Sequence, residues 1–215
     1  MNAQTLLTYI DQGGPPIMWT LVVLFTLGIA IAIWRLIIIL IAMFNTSSLY
    51  RKVFAALQDK TDGVARAMDI CERTPGPVAT IIHAGLSRLS KGIDHVEKAV
   101  QAAGSVEMSF LENGLVWLAT IANVAPMIGF FGTVSGMIIA FQRIAEQGDV
   151  EPSVVAGGIS MALITTAGGL LVAIPIQMLY NLCVYLIDRI VVSMEENASR
   201  FIDTLVDLGY DNTGD

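Results

Sequence analysis

Long apolar blocks alternate with polar, charged segments along this chain of 215 residues. Residues 17–42 carry Arg35 as their only charge, whereas residues 113–142 and 154–186 contain no Asp, Glu, Lys, Arg or His. A helix of roughly 20 residues crosses the hydrocarbon core of a bilayer, and each block is longer than that. The pattern therefore predicts an all-α, polytopic membrane protein with three transmembrane helices at these positions.

The segments around these blocks predict further helices. Residues 1–16 predict an amphipathic helix on the outer face of the membrane, and residues 145–153 predict a short outer loop. Residues 43–112 predict a cytoplasmic loop of several helices, interrupted by the Thr-Pro-Gly-Pro sequence at 74–77, and residues 187–215 predict a helical tail. The second and third transmembrane helices are therefore expected to extend into a cytoplasmic helical bundle.

The distribution of Lys and Arg predicts the orientation in the membrane. Residues 1–16 and residues 145–152 contain neither Lys nor Arg. The segment between the first and second spans contains eight of the 12 in the chain: Arg51, Lys52, Lys60, Arg66, Arg73, Arg88, Lys91 and Lys98. Under the positive-inside rule the N-terminus lies outside, and both the large loop and the C-terminus lie in the cytoplasm.

The composition of the chain argues against several function classes. Hydrophobic residues make up 54% of the chain, charged residues make up 14%, and the mean hydropathy is +0.67, as in membrane proteins. The net charge of −7 leaves no basic face for nucleic acid. The sequence shows no nucleophile with a neighbouring base, no phosphate-binding loop and no metal-ligand spacing. We therefore expect a protein that is not an enzyme and that binds neither a cofactor nor a metal.

Two of the apolar blocks share a stripe of small residues around a threonine. On a helix, spacings of three and four residues place side chains on one narrow face. The stripes consist of Gly129, Gly132, Thr133, Gly136 and Ala140 in the second block and Ala162, Thr166, Gly169 and Ala173 in the third. Pro126 and Pro175 give each of these helices a place to bend.

Each stripe has two interpretations. In the first, the glycines only let helix backbones approach closely, and each threonine hydroxyl bonds to a carbonyl one turn back. In the second, Thr133 and Thr166 face a cavity, where their hydroxyls order water or help to desolvate a carried ion. Neither block supplies an acid, and Arg35 in the first span does not release its proton. If the chain conducts protons, the carboxylate therefore comes from another chain.

Two sequence runs within these blocks resemble a known family. The runs WLATIANVAPMIGFFGTVSGM at residues 117–137 and GISMALITTAGGLLVAIP at residues 158–175 are similar to signature sequences of the MotA/TolQ/ExbB proton channel family. The resemblance extends over the whole predicted topology. Three spans favour the ExbB/TolQ branch over the flagellar stator branch, whose members have four.

The resemblance implies a homopentamer in the bacterial inner membrane, with a periplasmic N-terminus and a cytoplasmic C-terminus. The second and third spans would line a pore that holds single-span partners similar to ExbD or TolR, which carry an intramembrane aspartate. Thr133 and Thr166 occupy the family's pore-threonine positions, near that carboxylate. Proton flow would drive a molecular motor, and a TonB- or TolA-like protein would carry its force to the outer membrane.

The chain departs from the family pattern at two positions. ExbB-type members often carry a glutamate where this chain has Met161, so the pore would have no acid of its own. A glutamate often precedes the arginine of the first span, where this chain has Trp34. Arg35 is then expected to contact a lipid phosphate or another helix, with simple snorkelling as the alternative. Glu112 matches an acidic position frequent in relatives and is expected either to attract or accept exiting protons or to serve as a helix cap or in an ion pair.

The resemblance therefore favours an ExbB-like proton channel subunit of the TonB system, which serves transport across the outer membrane. A TolQ-like subunit for envelope maintenance and a sodium-driven relative are alternatives within the family. Outside the family, the alternative is a non-conducting helical membrane scaffold whose glycine stripes only pack helices.

Overall fold

The computed structural model describes residue 8 and residues 10–43, 46–58, 62–147 and 152–210, without the side chains at 46–48, 147, 152 and 154. Within these ranges the chain is almost entirely helical and forms no β-strand. The elements are α1 (Pro15–Met43), α2 (Thr46–Leu57), α3 (Gly63–Arg73), α4 (Pro77–Leu86), a 3₁₀ turn (Leu89–Lys91), α5 (Ile93–Glu112), α6 (Leu115–Gln147) and α7 (Pro152–Asp207). The predicted all-α fold class is therefore confirmed.

Three helices in the described part of the chain are long and apolar enough to cross a membrane. They are α1, the stretch that α5 and α6 form together, and α7. Helix α7 alone has 56 residues, a length of roughly 80 Å at 1.5 Å per residue, whereas a hydrocarbon core is about 30 Å thick. The prediction of three long apolar helices, of which the later two extend beyond the core, is confirmed.

The junction between α5 and α6 consists of two residues. The Asn113 amide donates to Ser109 O at 3.1 Å and closes the last turn of α5. Gly114 follows with φ +84°, a left-handed conformation that glycine adopts without a steric penalty. Helix α7, by contrast, stays helical from its spanning part into its tail. The two long extensions therefore differ, because one contains a glycine-dependent break and the other does not.

The helices also extend further than predicted toward the segment 145–153. Helix α6 continues to Gln147 and α7 begins at Pro152, so both ends of the predicted outer loop are helical, and residues 148–151 lie outside the described residues. At the N-terminus, residues 8 and 10–12 are helical, and Gly13 and Gly14 end this helix. The remaining residues of the predicted amphipathic helix, 1–7 and 9, also lie outside the described ranges.

The chain divides into two compact units. We call Met1–Arg35 with Gly114–Leu182 the span unit, and Leu36–Asn113 with Cys183–Asp215 the bundle unit. In the span unit, α1 packs on α7 and α6 at a glycine, because a Cβ atom on Gly28 would lie 2.7 Å from Ile176 Cδ1 and 3.5 Å from Ile121 Cδ1. Ile176 is fully buried, as is Leu118. The core of the span unit therefore lies where its three helices meet.

In the bundle unit, the C-terminal part of α7 packs on α4 and α5 through large side chains. Phe201 is 1% exposed, and its Cε1 atom lies 2.7 Å from the position that a Cβ atom would take on Gly85. Tyr50 of α2 contacts Thr204 Oγ1 through its hydroxyl at 3.1 Å. The core consists of Leu49, Val53, Leu57, Ile81, Ile82, Val96, Phe201 and Leu205. The predicted break at 74–77 is also present, because α3 ends at Arg73 and Gly76, with φ +135°, precedes α4.

Candidate functional site

Helices α6 and α7 run antiparallel and meet through glycines. Gly129 faces Gly169 at one end of the contact, and Gly136 faces Gly158 at the other. A Cβ atom on Gly129 would lie 3.2 Å from Gly169 Cα, and one on Gly169 would lie 2.7 Å from Ala125 O. These neighbours are backbone atoms, which cannot rotate away as a side chain does. Only residues without a Cβ atom therefore permit this approach.

The middle of the contact is equally close. A Cβ atom on Gly132 would lie 2.5 Å from Thr165 Cβ. One on Gly136 would lie 3.1 Å from Gly158 O and 3.2 Å from Ala162 N. Of the glycines that the spacing in the second apolar block singled out, Gly129 and Gly136 therefore lie against the backbone of α7 and Gly132 against the Thr165 side chain, and together they set the distance between the two helices.

The contact face of α7 contains Ala162, Thr166 and Gly169 of the predicted stripe together with Gly158 and Thr165. Gly158, Ala162, Thr165 and Gly169 repeat the spacing of four, three and four. Thr165, which the sequence pattern did not single out, is fully buried, and its hydroxyl donates to Ala162 O at 2.9 Å and Met161 O at 3.1 Å. The signal was present in the sequence as a second set of small residues with identical spacing. Thr166 meets α6 as well, since its Cα atom lies 3.2 Å from the position of a Cβ atom on Gly129.

The hydroxyl groups of Thr133 and Thr166 lie 2.5 Å apart, and either can be the donor. Thr133 Oγ1 also lies 3.3 Å from Ala162 O and 3.4 Å from Gly129 O, and Thr166 Oγ1 lies 3.3 Å from Gly129 O. Both side chains are half-buried. Of these bonds, only the one from Thr133 to Gly129 O returns to its own helix. The structure therefore joins two residues that are 33 positions apart in sequence into one polar pair between the helices.

The remaining stripe residues and the two prolines lie as follows. Ala140 and Ala173 are buried, with 3% and 6% exposure. Ala140 Cβ faces Gly158 across the contact. Pro126 and Pro175 lie inside α6 and α7, and both helices continue through them. A bend at either proline stays a prediction.

Met161 fills the position where ExbB-type sequences often have a glutamate. Its Cγ atom lies 3.5 Å from the position of a Cβ atom on Gly136, and its Cε methyl group contacts Gly14 at the start of α1. The thioether side chain is half-buried between these two glycines. This position is therefore occupied by an apolar contact among α1, α6 and α7.

Arg35 and Glu112, the two charged residues singled out by the resemblance, lie in different environments. Arg35 is 3% exposed, and its Cδ atom lies 3.3 Å from the position of a Cβ atom on Gly114, directly before α6. The aliphatic part of the side chain thus packs on the backbone of another segment. Glu112 is the last residue of α5, and its side chain is exposed. A role for either residue in lipid binding or proton exit stays a prediction.

Comparison with known proteins identifies the family of this arrangement. The model of the MotA/TolQ/ExbB proton channel family matches residues 73–196, more than half of the chain. The Tol-Pal system protein TolQ of Haemophilus influenzae is 41% identical over 106 residues, which are 49% of this chain and 45% of that protein. TolQ of Pseudomonas aeruginosa is 37% identical over 115 residues, 48% of this chain and 50% of that protein.

The biopolymer transport protein ExbB of Salmonella typhimurium is 40% identical over 87 residues, 40% of this chain and 34% of that protein. The chain spans half or less of the length of each of these three relatives. The matched range 73–196 contains both threonines and the whole glycine contact. With its three long apolar helices and this match, the chain is a multi-pass membrane protein that belongs to the MotA/TolQ/ExbB proton channel family.

Proposed function

We propose that this chain is an ExbB-like ion channel subunit of an energy-transducing motor in the bacterial inner membrane. It couples the proton motive force, through a single-span ExbD-like partner, to a TonB-like protein that serves transport across the outer membrane. Five copies surround a pore lined by α6 and α7. The N-terminus is periplasmic and the C-terminus cytoplasmic, because the cations cluster between the first and second spans.

The observation that carries this proposal is the hydroxyl pair of Thr133 and Thr166. Two hydroxyls meet between spanning helices whose residues 113–142 and 154–186 contain no Asp, Glu, Lys, Arg or His. Such a pair can orient water or a proton carrier, but neither hydroxyl releases a proton at physiological pH. Proton transfer across a membrane normally requires a titratable group at membrane depth. The partner therefore supplies an aspartate, which passes the threonine pair as its protonation changes.

Proton uptake into liposomes tests this division of labour. The full chain is reconstituted alone and together with a single-span protein that co-purifies with it and carries one intramembrane aspartate. We expect a membrane potential to drive proton uptake only with the partner present. Thr133→Val and Thr166→Val should each lower the uptake rate about tenfold, since a hydrogen bond of about 1.4 kcal/mol in the transfer step corresponds to that factor.

Thr120→Val is the matched control, because Thr120 lies exposed on α6 and its hydroxyl only donates to Val116 O at 2.7 Å. This variant should retain wild-type uptake. Strong, selective proton conduction by the chain alone would refute the need for a partner aspartate. Wild-type uptake in both single variants and in their double variant would remove the threonines from the mechanism and favour the non-conducting scaffold.

A TolQ-like role in envelope maintenance is the second candidate, because relatives named TolQ and relatives named ExbB match the chain at similar identity, 41% and 40%. The third protein that co-purifies with the assembled complex separates the two roles, since it resembles either TonB or TolA. Replacing the proton gradient by a sodium gradient in the same liposomes tests the sodium-driven alternative. Uptake that follows sodium at constant pH would replace the proton as coupling ion.

A further inference from the structure

Three carboxamide side chains lie in the middle of the spanning helices α6 and α7. On α7, the Gln177 Nε2 group donates to Asn181 Oδ1 at 3.0 Å. Gln177 is half-buried and Asn181 is exposed. On α6, the Asn123 side chain is exposed and makes no hydrogen bond within the part of the chain that the structure describes. The span unit thus presents amide groups on its surface, in stretches that contain no charged residue.

The contact of α1 with α6 and α7 gives the depth of these carboxamides. Gly28 lies near the middle of the first apolar block, and a Cβ atom there would lie 2.7 Å from Ile176 Cδ1 and 3.5 Å from Ile121 Cδ1. At 1.5 Å per residue, Gln177 lies about 2 Å and Asn123 about 3 Å from this level along the helix axes. The carboxamides therefore lie near the centre of the hydrocarbon core.

A carboxamide at this depth needs a partner that both donates and accepts hydrogen bonds. Each carboxamide has two N–H donors and an oxygen with two lone pairs. The bond between Gln177 and Asn181 uses one donor and one lone pair, so the Gln177 oxygen and the Asn181 amino group stay available. Lipid tails offer neither donors nor acceptors, and a polar group left unpaired in hydrocarbon is costly. Another polar surface therefore covers these side chains.

A second copy of this chain carries the matching group. Asn123 lies six residues before Gly129 of the glycine contact, so at 100° per residue it is about 120° around α6 from that contact. The Gln177–Asn181 pair begins eight residues after Gly169, about 80° around α7. Copies inserted in the same direction hold Asn123 and the pair at the same depth. Because these are two different surfaces, their contact is heterologous and closes into a ring.

We propose that Asn123 of each copy docks on the Gln177–Asn181 pair of the neighbouring copy, and that this carboxamide seam fixes the register of the copies in the membrane. The three amides form a closed cycle. Gln177 donates to Asn181, Asn181 donates to the neighbouring Asn123, and that Asn123 donates back to Gln177. Each amide donates once and accepts once, and bonds in such a chain strengthen one another. The seam builds on the ring of copies in the proposed function and does not depend on proton conduction.

Cysteine cross-linking between two differently tagged full-length chains tests the seam. One chain carries Asn123→Cys and the other Asn181→Cys, both with Cys71→Ala and Cys183→Ala, and membranes that contain both chains are oxidised with copper phenanthroline. A disulfide needs Cα atoms within about 7 Å of each other. We expect a heterodimer of the two chains and no dimer of the Asn123→Cys chain alone. A Leu27→Cys chain in place of the Asn181→Cys chain is the control, since Leu27 is exposed on α1 at the same depth and should give at least about fivefold less heterodimer.

Leucine variants test whether the carboxamides hold the copies together, with native mass spectrometry of the purified full chain as the measurement. Asn123→Leu and Asn181→Leu should each lower the fraction of assembled rings at least about threefold, and their double variant should lose no more than the larger single variant, because both remove the same cycle. Gln142→Leu is the matched control. It removes an exposed carboxamide near the outer end of α6 and should leave assembly unchanged.

Three results would overturn the seam: a heterodimer yield no higher than in the Leu27→Cys control, cross-linking of Asn123→Cys chains to each other, or wild-type assembly of both leucine variants. Intact rings without the cross-link would assign the carboxamides to pore water or to the single-span partner instead. Proton uptake is measured separately. Cross-linked rings that conduct no protons would refute the channel and keep the seam, whereas conduction without the cross-link would refute the seam alone.

Discussion

Helix α7 takes part in two contacts that use opposite kinds of residues. In the span unit it meets α6 through Gly158 and Gly169, whose neighbours are backbone atoms of α6. In the bundle unit the same helix places Phe201, a fully buried aromatic side chain, against Gly85 of α4. The glycine contact brings two backbones together beside a pair of hydroxyls, whereas in the bundle contact a large aromatic side chain fills the space over Gly85.

The difference between the two contacts follows from the medium, lipid or water, that surrounds each part of α7. Lipid tails are as apolar as leucine, so burying large side chains between helices gives little advantage in a membrane, and close van der Waals contact and hydrogen bonds hold the helices together instead. In water, removal of apolar surface is the dominant favourable term. One helix of 56 residues therefore changes its packing chemistry along its length.

The largest expected effect is the removal of the aromatic anchor from the bundle unit. Phe201→Ala should lower the free energy of opening of this unit by about 3–5 kcal/mol, because the cavity left behind adds to the lost burial. Hydrogen exchange of the α4 and α5 amides in the full chain measures this quantity. Phe54→Ala is the control, since Phe54 is 38% exposed and its truncation should cost clearly less. Equal losses in the two variants would contradict a core built on Phe201.

A smaller loss is expected when a methyl group enters the glycine contact of the span unit. Gly132→Ala places its Cβ atom 2.5 Å from Thr165 Cβ, so α6 and α7 must separate, at a cost of about 1–3 kcal/mol. The thermal midpoint of the purified full chain should fall. Gly104→Ala in α5 is the matched control, because a Cβ atom there meets nothing within 4 Å and gains about 0.5–1 kcal/mol of helix propensity. An equal fall of the thermal midpoint in both variants would show that the contact between α6 and α7 at Gly132 is no tighter than the surroundings of Gly104.

The smallest expected effect is a slower chemical modification of the Cys71 thiol. Its rate measures how well the bundle unit excludes water. Burial raises the pKa of the Cys71 thiol from 9.0 to about 11. The folded state therefore holds this proton more tightly than the unfolded state, so the associated stability is present below pH 9 and is lost as the pH rises toward 11. In a Cys183→Ala variant, maleimide should modify folded Cys71 more slowly than the unfolded chain at pH values up to about 9. Equal rates would mean that the core around Cys71 is open to water.

The features that were predictable from sequence are those set by short stretches of chain. Apolar block length predicts the three spanning helices, and the proline and glycine residues at 74–77 predict the break between α3 and α4. Both depend on the residues within the segment itself. The spacing of Gly129, Gly132 and Gly136 likewise predicts a packing face, since helical periodicity places these residues on one side.

The features that sequence reasoning missed depend on the partner helix. Two overlapping sets of small residues on α7 have the same spacing, one through Thr165 and one through Thr166, and periodicity alone ranks them equally. In the structure both threonines meet α6, Thr165 at Gly132 and Thr166 at Gly129. The change from charged segment to apolar block at 112–113 is visible in the sequence, but the helix break at Gly114 is not, because a single glycine is tolerated inside a helix as well as at its end.

The sequence by itself determined the number of spans, the cluster of cations between the first two of them and the absence of an acid from the second and third spans. Each of these features follows from counting residue types within one stretch of chain. It also placed one threonine beside a glycine face on each of two helices. Only the tertiary structure decided that these two hydroxyls bond to each other, 33 residues apart, and that Gly129 O and Ala162 O lie within hydrogen-bond distance of the pair. A hydrogen bond between two helices depends on which atoms meet across the interface. These atoms are known only once the glycines have brought both helices into contact.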